Sequence, residues 1–299
     1  MGKRTYTKPP LSVQEQVDLL KSRGLQINDE PRAARYLRNI SYYRLSGYMY
    51  PFLKDAKQHT YKDGVVFEDI LNLYRFDREL RLLVFSAIEK LEIAMRSHIA
   101  YEFSVALQDP FWYTKAANFS DMEKYKSFRK ALGTYIKRSK DVFLKHFKNT
   151  YSNPLPPIWV VSEILPIGQL SMLYDITAKS SARKAVADYF GVKEVVLISW
   201  LHSLAYVRNI CAHHVRLWNK DLRIAVKIPK KTVNKWLHAQ DLSNHKVYVI
   251  LAIISYLLDT ITPHHSFRQK VKDMVFKHSF IDISVMGFPK CWSADPFWN

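Results

Sequence analysis

KEVVLISWLHSLAYVRNICAHHVRL, residues 193–217, is the stretch on which the fold turns. Val195, Val196, Leu197, Ile198, Trp200, Leu201, Leu204, Ala205 and Val207 recur at helical spacing, so Lys193 to Leu217 reads as one long apolar helix. Its C-terminal half carries Arg208-Asn209-Ile210-Cys211-Ala212-His213, followed by His214. On a helix Asn209 and His213 lie about 40° apart and share a face, whereas Arg208 and His213 lie about 140° apart. An imidazole moves protons near neutral pH, and a guanidinium forks onto phosphate oxygens. Together with an amide, these groups suit metal-independent cleavage of an RNA phosphodiester. One such helix supplies one acid/base and one cation. In-line attack by a 2′-hydroxyl needs both a base and an acid, so a second copy across a twofold axis is expected, giving a homodimer with a composite site.

The bulk numbers agree with a polyanion ligand. The 299 residues carry a net charge of +18, a surplus that steers polyanions and binds them with counterion release. Nucleic acid is the first candidate partner and an anionic membrane surface the second. Hydrophobic residues at 48 % and charged residues at 24 % describe a globular chain. Only 8 glycines favour helices over strands and glycine-rich loops. Cys211 and Cys291, the two cysteines, form neither a disulfide framework nor a C-x-x-C pair. Cys211, His213 and His214 point in different directions along a helix and lack a fourth ligand, so no metal site is expected. The longest uncharged apolar run, Val247 to Leu258, has twelve residues. A membrane span needs roughly 20, so the run reads as a buried helix. Met1 to Pro10 is polar and basic without an apolar core, so a secretory signal is not expected and cytoplasm is the default.

Along the chain, Ser12 with Glu15 three residues on is a capping box that opens a first helix. Pro31 near a first turn opens a second. Lys54 to Gly64 reads as a polar loop. Phe67 to Leu107 lacks glycine and proline and is strongly helical, with a break expected near Asp77. Ser120 and Glu123 suggest a capping box for a single helix Met122 to Lys148, weakened at Gly133. That helix has nine Lys/Arg against two acids, a net of +7. Asn153 to Pro157 is linker-like, and Ile158 to Asp175 is helical with a break at Pro166-Ile167-Gly168. A short helix spans Ser181 to Phe190. Beyond the motif, Leu222 to Val226 alternates like a short strand. Helices are expected near Thr232 to Ala239, Asn244 to Thr262 and Pro263 to Phe276. The aromatic tail through Trp292 to Trp298 is expected to dock by burying its rings.

The candidate catalytic set is Arg208, Asn209 and His213. RNA-contact candidates are His214 and Arg216 beside the motif, and Lys124, Arg129, Lys130, Lys137 and Arg138 on the basic helix. Tyr42, Tyr43 and Arg44 are added as a cluster able to stack unpaired bases. Glu92 and Arg96, four apart on one helical face, either position the motif or form a structural ion pair. Two other readings stay open: a non-catalytic RNA-binding protein in a ribonucleoprotein, and a protein-interaction module of a toxin–antitoxin pair.

Tyr42-Tyr43-Arg44-Leu45-Ser46-Gly47-Tyr48, Tyr74-Arg75-Phe76-Asp77-Arg78-Glu79-Leu80-Arg81, Ile88-Glu89-Lys90-Leu91-Glu92-Ile93, Arg208-Asn209 with His213, and Met286-Gly287-Phe288-Pro289 with Trp292 and Pro296 form an ensemble. By these residues the chain resembles the Abi proteins of the AbiD/AbiF type, in the HEPN superfamily. The resemblance implies an all-α fold: a HEPN-like helical bundle with an additional N-terminal helical region. The expected division is residues 1–66 as N-terminal helical region, residues 67–276 as HEPN-like domain with a basic helical insertion at 120–150, and residues 277–299 as aromatic tail. It further implies a metal-independent endoribonuclease without cofactors, acting in phage defence or as a toxin. The partners it implies are RNA, including a small noncoding RNA in some members.

Overall fold

The structure, a computed structural model, describes residues 5, 7, 9–238 and 242–299. Among them are twelve α-helices and one two-stranded sheet, so the fold is all-α. It forms two compact units, residues 1–79 and 80–299. The longest helix, α4 (Phe67–Leu107), contributes its first residues to one unit and the rest to the other.

The first unit is built on α1 (Val13–Ser22), α2 (Glu30–Ile40) and α3 (Tyr42–Met49). The capping box that opens α1 is present: the Glu15 amide donates to Ser12 Oγ and the Ser12 amide to Glu15 Oε2. Asp29 caps α2, where Pro31 lies in the first turn. Ser41 separates α2 from α3 with φ 76° and caps α3 through its hydroxyl. The stretch 54–64 is more ordered than a loop: β1 (Leu53–Asp55) pairs antiparallel with β2 (Thr60–Tyr61). The break expected near Asp77 is absent, and α4 runs unbroken for 41 residues. Asp77 does not face water there. It is fully buried and accepts a 2.6 Å hydrogen bond from the Tyr48 hydroxyl, so the side chain that competes with a helix in solution is occupied by tertiary structure.

The second unit contains α5 (Met122–Arg138), α6 (Val142–Thr150), α7 (Ile158–Ile164), α8 (Ile167–Ile176), α9 (Ser181–Tyr189), α10 (Glu194–Ala212), α11 (Val247–Ile261) and α12 (Phe267–Lys277). The basic stretch is thus two helices, and it breaks at residues 139–141 rather than at Gly133. Asp121, not Ser120, caps α5 by accepting from the Lys124 amide; the Ser120 hydroxyl donates to the Ile176 carbonyl instead. Tyr125, Phe128, Leu132 and Ile136 form the buried face of α5, and its lysines occupy the other. α11 is the interior rod of the unit, with every residue from Val247 to Leu258 buried. α10 packs on α8, α9 and α11. It is long and apolar enough to cross a membrane by length and composition, but 61 % of that window is buried inside the fold.

Neither the strand expected at 222–226 nor the helix expected from Thr232 forms; Ala239, its expected end, lies outside the described residues. The connection from α10 to α11 is irregular and held at discrete points. Leu222 and Val226 amides donate to the His245 and Asn244 carbonyls, and Trp200 Nε1 donates to the Lys227 carbonyl at 3.0 Å. Gly191, before α10, is a further anchor. Its carbonyl accepts from the Val233 amide and the Tyr256 hydroxyl, its φ is +65°, and a Cβ there would lie 2.9 Å from both Val233 Cβ and Tyr256 Oη.

The tail docks through its rings, as the sequence suggests. Trp292, Phe297 and Trp298 are buried, and Trp298 Nε1 donates to the Tyr248 hydroxyl at 2.9 Å. Arg268 lies over the Phe297 ring and makes a forked pair with Asp259, at 2.7 and 2.5 Å. His265, which the sequence places at a helix start, holds the same carboxylate through Nε2 at 3.1 Å. Burial alone would raise the Asp259 carboxyl, but the hydrogen bonds from His265 and Arg268 and the nearby positive charge outweigh it and hold it below the usual range. A carboxyl depressed in the folded state stabilises above its unfolded value, about 4, and that stability drains as pH falls from there through the lower folded value. Asp259→Asn is therefore expected to lower Tm at pH 7 and to flatten the acid side of the Tm–pH curve. Calorimetry from pH 7 down to about pH 3 measures both; parallel curves for the two proteins contradict the assignment.

Candidate active site

The motif sits at the end of α10, and the helix stops sooner than its apolar pattern suggests. Ala212 is the last helical residue and His213 is the C-cap. His214 takes φ 56°, its amide donating to the Cys211 carbonyl, and the Val215 amide donates to the Ile210 carbonyl. These are the two bonds of a Schellman cap with histidine at the left-handed position. Glycine is usual there, and the Cβ costs about 1 kcal/mol. The result is an exposed His213 at a fixed corner, with its amide bound to the Asn209 carbonyl. Asn209 is exposed and Cys211 is buried.

Arg208 takes a different direction, toward α4. Its Cζ lies 5.7 Å over the Phe85 ring and its Nε 3.9 Å from Glu92 Oε2. The other oxygen of Glu92 accepts from Arg96 Nη2 at 2.6 Å. Arg96 also donates to the Leu165 carbonyl at 3.1 Å and reaches Glu163 at 3.8 Å. The Glu92 side chain is only 10 % exposed, so its charge is largely withdrawn from water and the two guanidiniums compensate it. Phe85, Glu89, Glu92, Ile93, Arg96 and Arg208 line a cleft of about 240 Å³. The structure thus joins Arg208 to Glu92 and Arg96. Its contact with Asn209, Nη1 to Oδ1 at 3.5 Å, is at the limit of a hydrogen bond. Phe85, Glu89 and Ile93 were not among the sequence candidates. Their signal was the spacing 85, 89, 92/93, 96 on one α4 face, which repeats at helical period.

The remaining candidates are dispersed. Lys124, Lys130, Lys137 and Arg138 are exposed along α5, while Arg129 lies over the Tyr125 ring. Lys124 Nζ is 3.3 Å from Asp175. His214 is exposed and Arg216 half-buried after the cap. In the first unit Tyr43 is 89 % exposed and its ring is open to stacking. Tyr42 is tied down, its hydroxyl accepting from Arg23. Among the described residues no group of three or more His, Cys, Asp or Glu is placed to hold a metal ion.

The two arginines are separable by stability. Glu92→Ala strands the largely buried Arg96 and is expected to cost about 3 kcal/mol. Arg208→Ala removes a side chain that is 33 % exposed and at the long limit of its ion pair, and is expected to change stability by less than about 1 kcal/mol. Urea denaturation of both variants decides; equal losses would make Arg208 a structural partner of Glu92.

A family model for Abi-like proteins matches residues 35–219, from α2 past the end of α10. The match takes in Glu92, Arg96, Arg208, Asn209 and His213. No curated protein and no solved structure matches the chain. With well over half of its length covered by that model, the chain belongs to the Abi-like protein family.

Proposed function

We propose that this abortive-infection protein is a metal-independent endoribonuclease of the HEPN type, nearest the AbiD/AbiF kind. It would cut RNA in phage defence or as a toxin and leave 2′,3′-cyclic phosphate and 5′-hydroxyl ends. The observation that carries this reading is the exposed His213 fixed at the α10 cap, five residues on from Arg208, whose guanidinium faces an open cleft. In the proposed step one imidazole takes the 2′-hydroxyl proton. The O2′–P bond forms as the P–O5′ bond breaks, and a second imidazole protonates the leaving O5′. Arg208 neutralises charge on the phosphorane, and Asn209 orients a phosphate oxygen or the imidazole.

The second imidazole would come from another copy of the chain. Beside the motif cleft, Ile93, Tyr101 and Val105 of α4 and Trp159 of α7 are exposed large apolar residues around a further hollow of about 390 Å³ that shares Ile93 and Arg96 with the first. Contiguous apolar surface of this kind is what an interface buries, and its continuity with Arg208 supports a twofold pairing of motif helices. RNA would track along the exposed cations of α5; within the first unit, Tyr43 by itself would offer a stacking surface to an unpaired base.

His213→Ala is expected to reduce cleavage of mixed RNA by about 10²–10⁴-fold with RNA binding retained, and wild-type cleavage is expected to persist in EDTA. Wild type that binds RNA but never cuts it would leave a ribonucleoprotein component as the better reading. Separately, Ile93→Asp with Tyr101→Asp is expected to convert a dimer to a monomer in sedimentation and to abolish cleavage. A monomeric wild type with full activity would remove the composite site.

A further inference from the structure

α10 is buried on nearly every side. Val196, Leu197, Trp200, Leu201, Ser203, Leu204, Ala205, Val207, Ile210 and Cys211 all face the interior. Among its accessible residues, His202, Tyr206, Asn209 and His213 form one stripe at spacings of four, three and four, with Val195 and Ser199 preceding them on the same face and Arg208 pointing away toward α4. At about 100° per residue these four stay within about 60° of one another. Over eleven residues the stripe extends about 16 Å, so it continues well beyond the motif. Its chemistry is unlike an ordinary solvated face of this lysine-rich chain. Its four side chains are two imidazoles, a phenol and an amide, and the carboxylate that reaches it, Asp175, comes from α8.

The far end of the stripe meets the basic helix. His202 Nε2 lies 3.9 Å and Lys124 Nζ 3.3 Å from the same atom, Asp175 Oδ2 on α8. One carboxylate oxygen therefore ties the first turn of α5 to α10 two turns before the motif. The cationic face of α5 begins where the polar stripe of α10 passes it.

We infer that the stripe is a track for single-stranded RNA leading from α5 to the motif. Tyr206 is a stacking platform for the base next to the scissile phosphate, and His202, beside Lys124, is a contact for the phosphate beyond it. This rests on the nuclease reading and adds two binding residues to it. A half-buried phenol ring suits base stacking, which tolerates any base. An imidazole beside a lysine suits a phosphate, because both donate hydrogen bonds to anionic oxygen; the phosphate oxygen would take over these donors from Asp175 Oδ2, which lies between them.

The test uses the full chain with His213→Ala, so that the probe is not cut, and a fluorescein-labelled 20-nucleotide uridine RNA read by anisotropy. Adding Tyr206→Ala or His202→Ala is expected to weaken binding about five- to tenfold. Tyr206→Phe and His202→Arg, which keep a ring and an N–H donor, are expected to stay within about twofold of the parent. A merely structural role predicts no such rescue. If Tyr206→Ala and His202→Ala bind like the parent while Lys130→Glu with Lys137→Glu weakens binding, the RNA reading stands and the track is overturned. If the parent itself does not bind the probe, the RNA reading falls and the track falls with it.

Discussion

A nineteen-residue apolar helix enclosed by three others leaves its side chains little choice of direction, and most of this protein follows from that enclosure. α10 buries ten side chains against its neighbours, roughly 1.5–3 kcal/mol for each large aliphatic one. Its axial rotation is therefore fixed by the core rather than by the motif. Given that rotation, Asn209 and His213 have to face outward and Arg208 has to face α4. The Schellman cap completes the geometry: it stops the helix at Ala212 and leaves His213 on a corner whose backbone is hydrogen-bonded on both sides. A side chain held this way loses little freedom on meeting a ligand, which is what a reacting group requires.

Glu92 does for Arg208 what the cap does for His213. A lone carboxylate with so little exposure would be costly, but Arg96 at i+4 compensates it and is itself held in place by donating to the Leu165 carbonyl. Arg96 is the tight partner and Arg208 the loose one, 2.6 Å against 3.9 Å. The tight pair is a fixed wall. The loose guanidinium is aimed by Coulomb attraction yet has most of its donors uncommitted to Glu92, so an incoming phosphate competes on favourable terms.

Much of the fold was legible because periodicity reports burial. The twelve-residue run 247–258, the capping box at Ser12 and Glu15, and the break at Pro166 all carry local signals that the tertiary structure leaves intact. The misreadings share one cause, tertiary contacts that override local preference. Asp77 looked like a helix breaker because its partner Tyr48 is 29 residues away. Residues 222–226 alternate like a strand but have no strand beside them; their amides reach the His245 and Asn244 carbonyls. The motif was visible as residue types, while its orientation was not. The pairing of Glu92 with Arg208 joins residues 116 apart, and nothing local encodes it. The spacing of Phe85, Glu89 and Ile93 was present in the chain, but without α10 opposite them it reads as an ordinary half-exposed helix.

Gly191 has a bearing on how the gene can drift. It precedes α10, at the opposite end of that helix from Arg208 and His213, and is not one of the proposed reacting groups. Yet its carbonyl is claimed by both Val233 and Tyr256, and no Cβ fits between them. Any missense change in that codon pushes Val233 away from the start of α10 or swings the Tyr256 ring, and so loosens the seat on which α10 rests. Null alleles are thus expected at a codon that an inventory of chemically reactive side chains would never inspect.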